Sequence, residues 1–172
     1  TKLFILSGGA GGIINEALKH SSIETIEYAE LDPLLLDLLR KFPTPLTESE
    51  LNDNRVTITH IDGLLFLKTT RNKYDMIFIG IMEPSNLQAN RFFTHEFFSL
   101  VKKRLNKGGI LVLGLPVSLM YVNEDLKNLN SCIFHTLKRV FSYIRVIPGD
   151  GKNLFLSSNS EDISTIDRKQ II

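Results

Sequence analysis

One cysteine, Cys132, stands in a chain of 172 residues. A disulfide framework and a structural zinc cluster both need more, so neither organises this protein. No apolar run approaches the roughly 18–20 residues that cross a bilayer, and no signal peptide is visible. Charge of one sign is not in excess: twenty Lys and Arg against nineteen Asp and Glu leave +1. A nucleic-acid binder held by phosphate contacts would show a basic excess or stripe, so no nucleic-acid partner is expected. His20, His60 and His135 sit on separate elements without metal-ligand spacing and read as structural, so no metal is expected either. Internal repeats and low-complexity segments are also missing.

What is present suits a folded domain: 43% hydrophobic and 23% charged residues. A chain of this length buries roughly 70% of its unfolded surface and needs no staples. Lys2-Leu3-Phe4-Ile5-Leu6 already reads as a buried strand. The sequence is therefore expected to be a piece of a longer protein, and the lack of a membrane segment describes this piece alone. The expected domain spans 1–158, with 159–172 as a frayed C-terminal tail in which Ile171-Ile172 could dock.

Short apolar runs alternate with helical patterns. Strands are expected at 3–6, 25–29, 56–60, 76–81, 110–115, 143–147 and 153–156. Helices are expected near 12–20, 33–42, 63–68, 93–105 and 123–141. Near-continuous apolar runs are those of parallel strands covered on both faces. The alternation predicts an α/β fold, a Rossmann-like doubly wound, mostly parallel seven-stranded sheet. Pro148-Gly149-Asp150-Gly151 is short enough for a hairpin, so one strand near the edge should be antiparallel. Asp32-Pro33 reads as a cap followed by the first helical residue, and Thr94 and Asn123 are further caps. Gly108-Gly109 reads as the stop of the helix ending near Leu105. Residues 43–54 read as a polar loop. Cys132 lies on an apolar helix face and reads as core.

The first strand runs into Ser7-Gly8-Gly9-Ala10-Gly11-Gly12, and a helix follows. Glycines there let the backbone turn tightly and approach a ligand; a purely structural turn is the alternative. Glu30 lies nineteen residues after Gly11, at the end of the second strand. A carboxylate there can accept both hydroxyls of a ribose, or it is a solvated strand end. Asp62-Gly63 follows the third strand. Asp62 can accept from an adenine amino group, or cap the next helix, or do both. All three features fall at carboxyl ends of strands, where open sheets bind ligands.

These stretches resemble the spermidine synthase family, and more broadly the class I S-adenosylmethionine-dependent transferases. The resemblance is carried by residues 7–12 and 15–20 (NEALKH), 28–33 (YAELDP), 52–67 (NDNRVTITHIDGLLFL), 92–112 (FFTHEFFSLVKKRLNKGGILV) and 146–157 (VIPGDGKNLFLS). With Glu83-Pro84-Ser85, Leu87-Gln88 and Asn90-Arg91-Phe92, the chain looks closest to a branch in which a multi-spanning membrane segment precedes the synthase-like domain. The resemblance implies S-adenosylmethionine or its decarboxylated form as co-substrate, without a metal. It implies Gly8, Gly9, Ala10, Gly11, Glu30, Leu31, Asp62, Gly63, Gly80 and Ile81 as cofactor-binding, with Leu64 beside the base. It also implies a small-molecule amine acceptor such as putrescine, a homodimer, and a cytoplasmic domain tethered to a membrane in the full-length protein.

Two positions depart from the family pattern. Its glycine loop usually reads GGGDGG; here the first Gly is Ser7 and the Asp is Ala10. Its segment after the fourth strand resembles D-x-x-D-P; here Gly80 replaces the first acid and Glu83 the second. An alkyl ammonium has a pKa of about 10, so an acceptor amine must lose a proton before it attacks. Gly80 cannot take it. Glu83 and Tyr121 are the candidate catalytic residues that remain. His95 could also reach the site, and Arg91 could meet an anionic ligand group or lie solvated in its loop. The resulting expectation is an aminopropyltransferase domain with a degenerate acceptor and base site. The alternatives are a methyltransferase, or a non-catalytic nucleotide-binding domain attached to a membrane segment.

Overall fold

The computed structural model describes residues 1–81, 83–117 and 124–164. The elements follow in the order β1 (Lys2–Leu6), α1 (Ile13–Leu18), β2 (Thr25–Glu30), α2 (Pro33–Lys41), α3 (Pro45–Asn52), β3 (Val56–His60), α4 (Gly63–Thr69) and β4 (Tyr74–Ile79). Then come α5 (Leu87–Asn90), a 3-10 turn (Arg91–Phe93), α6 (His95–Arg104), β5 (Leu105–Pro116), α7 (Glu124–Lys138), β6 (Tyr143–Ile147), β7 (Lys152–Ser158) and a last 3-10 turn (Glu161–Ser164).

The seven strands form one sheet in the order β3-β2-β1-β4-β5-β7-β6. The first five run parallel, and β7 is antiparallel to both β5 and β6. This is the expected Rossmann-like doubly wound sheet. Strand order reverses between β1 and β4, which opens a ligand crevice at their carboxyl ends.

Period-two alternation along β1 divides the core. Phe4 and Leu6 point to the face covered by α4, α6 and α7, where they meet Leu67, Phe97, Phe98 and Leu137. Leu3 and Ile5 point to the other face, with Ile14 of α1 and Leu36 of α2. Phe4 stacks on Phe66 with ring centroids 5.1 Å apart. Asp32 and Thr94 cap as expected: Asp32 accepts from the Leu34 amide and Thr94 from the Phe97 amide. Asn123 lies outside the described residues.

Five expectations are corrected. Residues 45–52 form a helix, α3, not a loop; Thr44 caps it and Pro45 begins it. The strand expected at 76–81 starts at Tyr74 and ends before Gly80. Gly108 and Gly109 do not stop a helix. The helix ends at Arg104, and β5 runs through both glycines because Leu105 already pairs with Tyr74. Cys132 is exposed, since the buried side chains of α7 are Ile133 and Leu137. The segment after Ser158 is not frayed at its start: Ile163 is buried, and Ser160 is fixed by the Ser158 hydroxyl. Ile171 and Ile172 lie outside the described residues.

Two buried tyrosines bear on alkaline stability. Tyr28 donates to Glu30 at 2.6 Å and Tyr74 to Glu27 at 2.5 Å. Burial, then the neighbouring carboxylate, pushes both phenols well above the usual 10 or so. A raised folded-state pKa means that the native protein keeps its protons while the unfolded chain releases them. Stability is thus full below about pH 10 and falls as pH rises beyond it. Base titration followed by absorbance and circular dichroism should show cooperative unfolding above about pH 10. Tyr28→Phe and Tyr74→Phe should each flatten that slope.

Candidate functional site

The turn after β1 departs from ordinary backbone at once. Ser7 has φ 54°, a left-handed value in a residue with a Cβ. Such a position costs on the order of 1–2 kcal/mol and persists only where the surroundings hold it. Gly8, Gly11 and Gly12 continue at positive φ. Gly9 is buried, and its α-carbon lies where any side chain would press on Ile5 and the Tyr28 ring. Gly11 faces open space.

Glu30 lies at the end of β2 and is buried, at 5% exposure, which rules out a solvated strand end. Its Oε2 accepts from the Tyr28 hydroxyl, and its Oε1 accepts from the Asp32 amide at 3.2 Å and the Ser7 hydroxyl at 3.4 Å. A carboxylate offers about four lone-pair directions. One remains on Oε2, and the long Ser7 contact is the cheapest to exchange.

Asp62 caps the next helix, one of the two roles expected of it. One oxygen, Oδ1, caps α4 by accepting from the Leu64 and Leu65 amides at 2.8 and 3.1 Å. The other, Oδ2, accepts from Nη2 of Arg91. Arg91 in turn donates from Nε to the Gln88 carbonyl and lies over the Phe92 ring, 4.6 Å from its centroid. Arg91 thus braces Asp62, with its side chain still 36% exposed.

Leu6, Ser7, Leu31, Asp62, Gly63 and Ile81 enclose a cavity of about 230 Å³, closed on the far side by Asn86, Gln88, Ala89, Arg91 and Phe92. Whole-ligand pockets typically measure about 300–1,000 Å³, so this cavity fits one end of a ligand. Gly63 is glycine because a Cβ would meet Leu6 Cγ at 2.3 Å. The carboxyl ends of β1 and β4 touch backbone to backbone. The Gly80 amide donates to the Leu6 carbonyl, and a Cβ on Gly80 would lie 2.0 Å from the Ser7 carbonyl oxygen.

Glu83 is exposed and does not line the cavity. Tyr121 lies outside the described residues. His95 is exposed at the start of α6, and His60 bonds the Leu31 carbonyl through Nε2. The described residues contain no cluster of His, Cys, Asp or Glu that could hold a metal ion, and none of their helices is long and apolar enough to cross a membrane.

One site residue was not expected. Glu50 of α3 is 0% exposed. Its carboxylate accepts from the amides of Gly11 at 2.8 Å, Gly12 at 2.7 Å and Asn15 at 2.9 Å. No side chain of α1's own segment caps that helix; Glu50 does so from a neighbouring one.

A family model described as the spermine/spermidine synthase domain matches residues 1–169. The chain belongs to that family. Its relatives include a spermine synthase of Saccharomyces cerevisiae, 28% identical over 94% of this chain and 56% of the relative. A polyamine aminopropyltransferase of Prochlorococcus marinus is 31% identical over 94% of this chain and 61% of its own. The synthase domain described here thus spans a little over half the length of these relatives. Among solved structures, a spermidine synthase in complex with the transition-state analogue AdoDATO superposes with a TM-score of 0.82 at 23% identity, covering 99% of this chain and 59% of the other. Human methyltransferase-like protein 13 in complex with SAH gives 0.72 at 18% identity, covering 99% and 76%. Both share the fold.

Proposed function

We propose that this domain binds an adenosyl-sulfonium compound and transfers its aminopropyl group to a small amine. What supports this reading is that the glycine turn, Glu30 and Asp62 all follow or end neighbouring parallel strands, with Ser7 and Asp62 lining one cavity and Ser7 bonding Glu30. In this reading Asp62 Oδ2 takes the adenine amino group, and Leu31, Gly63 and Ile81 hold the base. Glu30 takes the ribose hydroxyls. Gly8, Gly9, Ala10 and Gly11 let the sulfonium tail lie along the loop, with Gly80 beneath it.

The amine lone pair attacks the tail carbon beside sulfur. The carbon–nitrogen bond forms, the carbon–sulfur bond breaks, and its electron pair leaves on sulfur as a neutral thioether. Alignment of amine, carbon and sulfur supplies most of the acceleration. The amine's proton goes to Glu83, whose loop follows β4. General-base help is worth about 10²–10⁴-fold. Glu83→Gln is therefore expected to lower turnover about 10²-fold and leave cofactor affinity unchanged.

A second reading, methyl transfer, is favoured by the backbone contact at Gly80. No acid fits there, and methylation of a good nucleophile needs no dedicated base. Titration with S-adenosylmethionine, its decarboxylated form and methylthioadenosine tests both readings. Saturation at 100 times the dissociation constant stabilises by about 2.7 kcal/mol. That raises the melting temperature by roughly 5–10 °C in a chain of this size. Preference for the decarboxylated form, with its conversion to methylthioadenosine when putrescine or spermidine is supplied as acceptor, is the expected result. Preference for the intact form would select the methyltransferase reading, and no response to any would sink both.

A further inference from the structure

Two carboxylates, Glu30 and Glu50, are buried beside the glycine turn, and neither has an ion-pair partner among the described residues. Glu30 bonds two hydroxyls and one amide; Glu50 bonds three amides. The ion pairs among the described residues involve other groups, including the Asp62–Arg91 pair on the opposite wall. Burying a charge without a counter-ion is costly even when amides satisfy its lone pairs. Three amide bonds offset part of that cost for Glu50, and no cation among the described residues pairs with it. Its carboxylate lies one peptide layer behind Gly11 and Gly12, and position 10 is an uncharged alanine. Gly11 and Gly12 themselves put no side chain over it, and the space where a Cβ would lie is open at both.

We propose that Glu50 is the specificity-determining residue of this site: its buried charge selects a ligand with a fully cationic tail and rejects one that carries a carboxylate. The inference rests on the adenosyl-sulfonium reading above. Decarboxylated S-adenosylmethionine brings a sulfonium and an ammonium, a charge of +2. The intact compound adds a carboxylate and brings +1. Methylthioadenosine brings none. Because Glu50 also occupies the amides at the start of α1, those amides cannot receive the carboxylate instead. The roles of the two buried acids separate cleanly. Glu30 faces neutral hydroxyls that all three ligands share, so its loss weakens all three alike. Glu50 acts on the tail alone.

The test is isothermal titration of wild type and Glu50→Gln with these three ligands. Wild type is expected to bind the decarboxylated form about tenfold or more tighter than the intact form, the scale of one poorly screened charge at this range. Glu50→Gln should shrink that ratio about tenfold and change methylthioadenosine affinity less than about threefold. The surface variant Glu24→Gln should leave the ratio as it is. A Glu50→Gln protein that weakens all three ligands equally would show that the residue only shapes the turn, and would overturn the proposal. If that variant does not fold, the wild-type ratio decides: a tenfold preference supports the proposal, and equal or reversed affinity overturns it. Wild type that binds none of the three overturns the adenosyl-sulfonium reading itself, and this inference with it.

Discussion

Gly80→Asp is expected to cost at least about 4 kcal/mol of stability and to restore no base. The substitution looks like a repair, since the family pattern has an acid at this position. The backbone forbids it. A Cβ at residue 80 would sit 2.0 Å from the Ser7 carbonyl oxygen and 3.0 Å from the α-carbon of Gly8. Neither neighbour is a flexible side-chain tip that could move aside. Both belong to the left-handed turn that ends β1, and that turn is pinned by the Ser7 amide bonding to Ala29. The melting temperature should fall by roughly 8–16 °C. Gly80→Ala carries the same Cβ and should show most of the loss, which separates the steric term from the charge. A Gly80→Asp protein with wild-type melting and raised turnover would refute this account. Ser7 and Gly80 are therefore one coupled departure: the strained turn at residue 7 occupies the space that a side chain at residue 80 would need.

Glu50→Ala is the second large effect, at about 3 kcal/mol. The truncation leaves the amides of Gly11, Gly12 and Asn15 facing a space that held both of their acceptor oxygens. Each unsatisfied buried group costs about 1–3 kcal/mol, less where water reaches it, and Gly11 is itself exposed on its other side. Hydrogen exchange should localise the damage. Those three amides should lose protection, while the β1, β4 and β5 amides keep theirs. Chemical denaturation should give the same loss with an unchanged slope. A cost under about 1 kcal/mol, with protection intact, would mean that α1 does not depend on α3.

The contrast between these residues shows what could be read from the chain. The sheet was legible because its signal is apolar: residues 3–6, 76–79 and 110–115 are runs that only a covered strand tolerates. Glu30 and Asp62 were legible because an acid at a strand's carboxyl end stands out in a known position. Glu50 was not. Its helix turns Thr47 and Glu50 inward, so hydrophobic periodicity registers nothing there, and the two flanking prolines read as loop. The one local sign was Thr44-Pro45, a cap followed by a proline at the first helical position. Cys132 failed by a single position, since Ile133 is the residue that faces the core. The brace between Arg91 and Asp62 spans 29 residues of chain. No local pattern encodes such a contact; the order of the strands creates it.

That same strand order governs how the chain can assemble. Among the described residues β7 is the last strand in chain order, yet it lies inside the sheet, between β5 and β6. β6 is complete earlier but has no other neighbour to pair with. On a ribosome, then, β5 must wait with one edge bare until residues 152–158 have emerged, while β6 has nowhere to dock. During that interval the Leu111-Val112-Leu113 edge is an open template for any other nascent strand. A ribosome pause between residues 117 and 151 prolongs this exposure, so chaperone demand during synthesis should peak there and fall once β7 closes the gap.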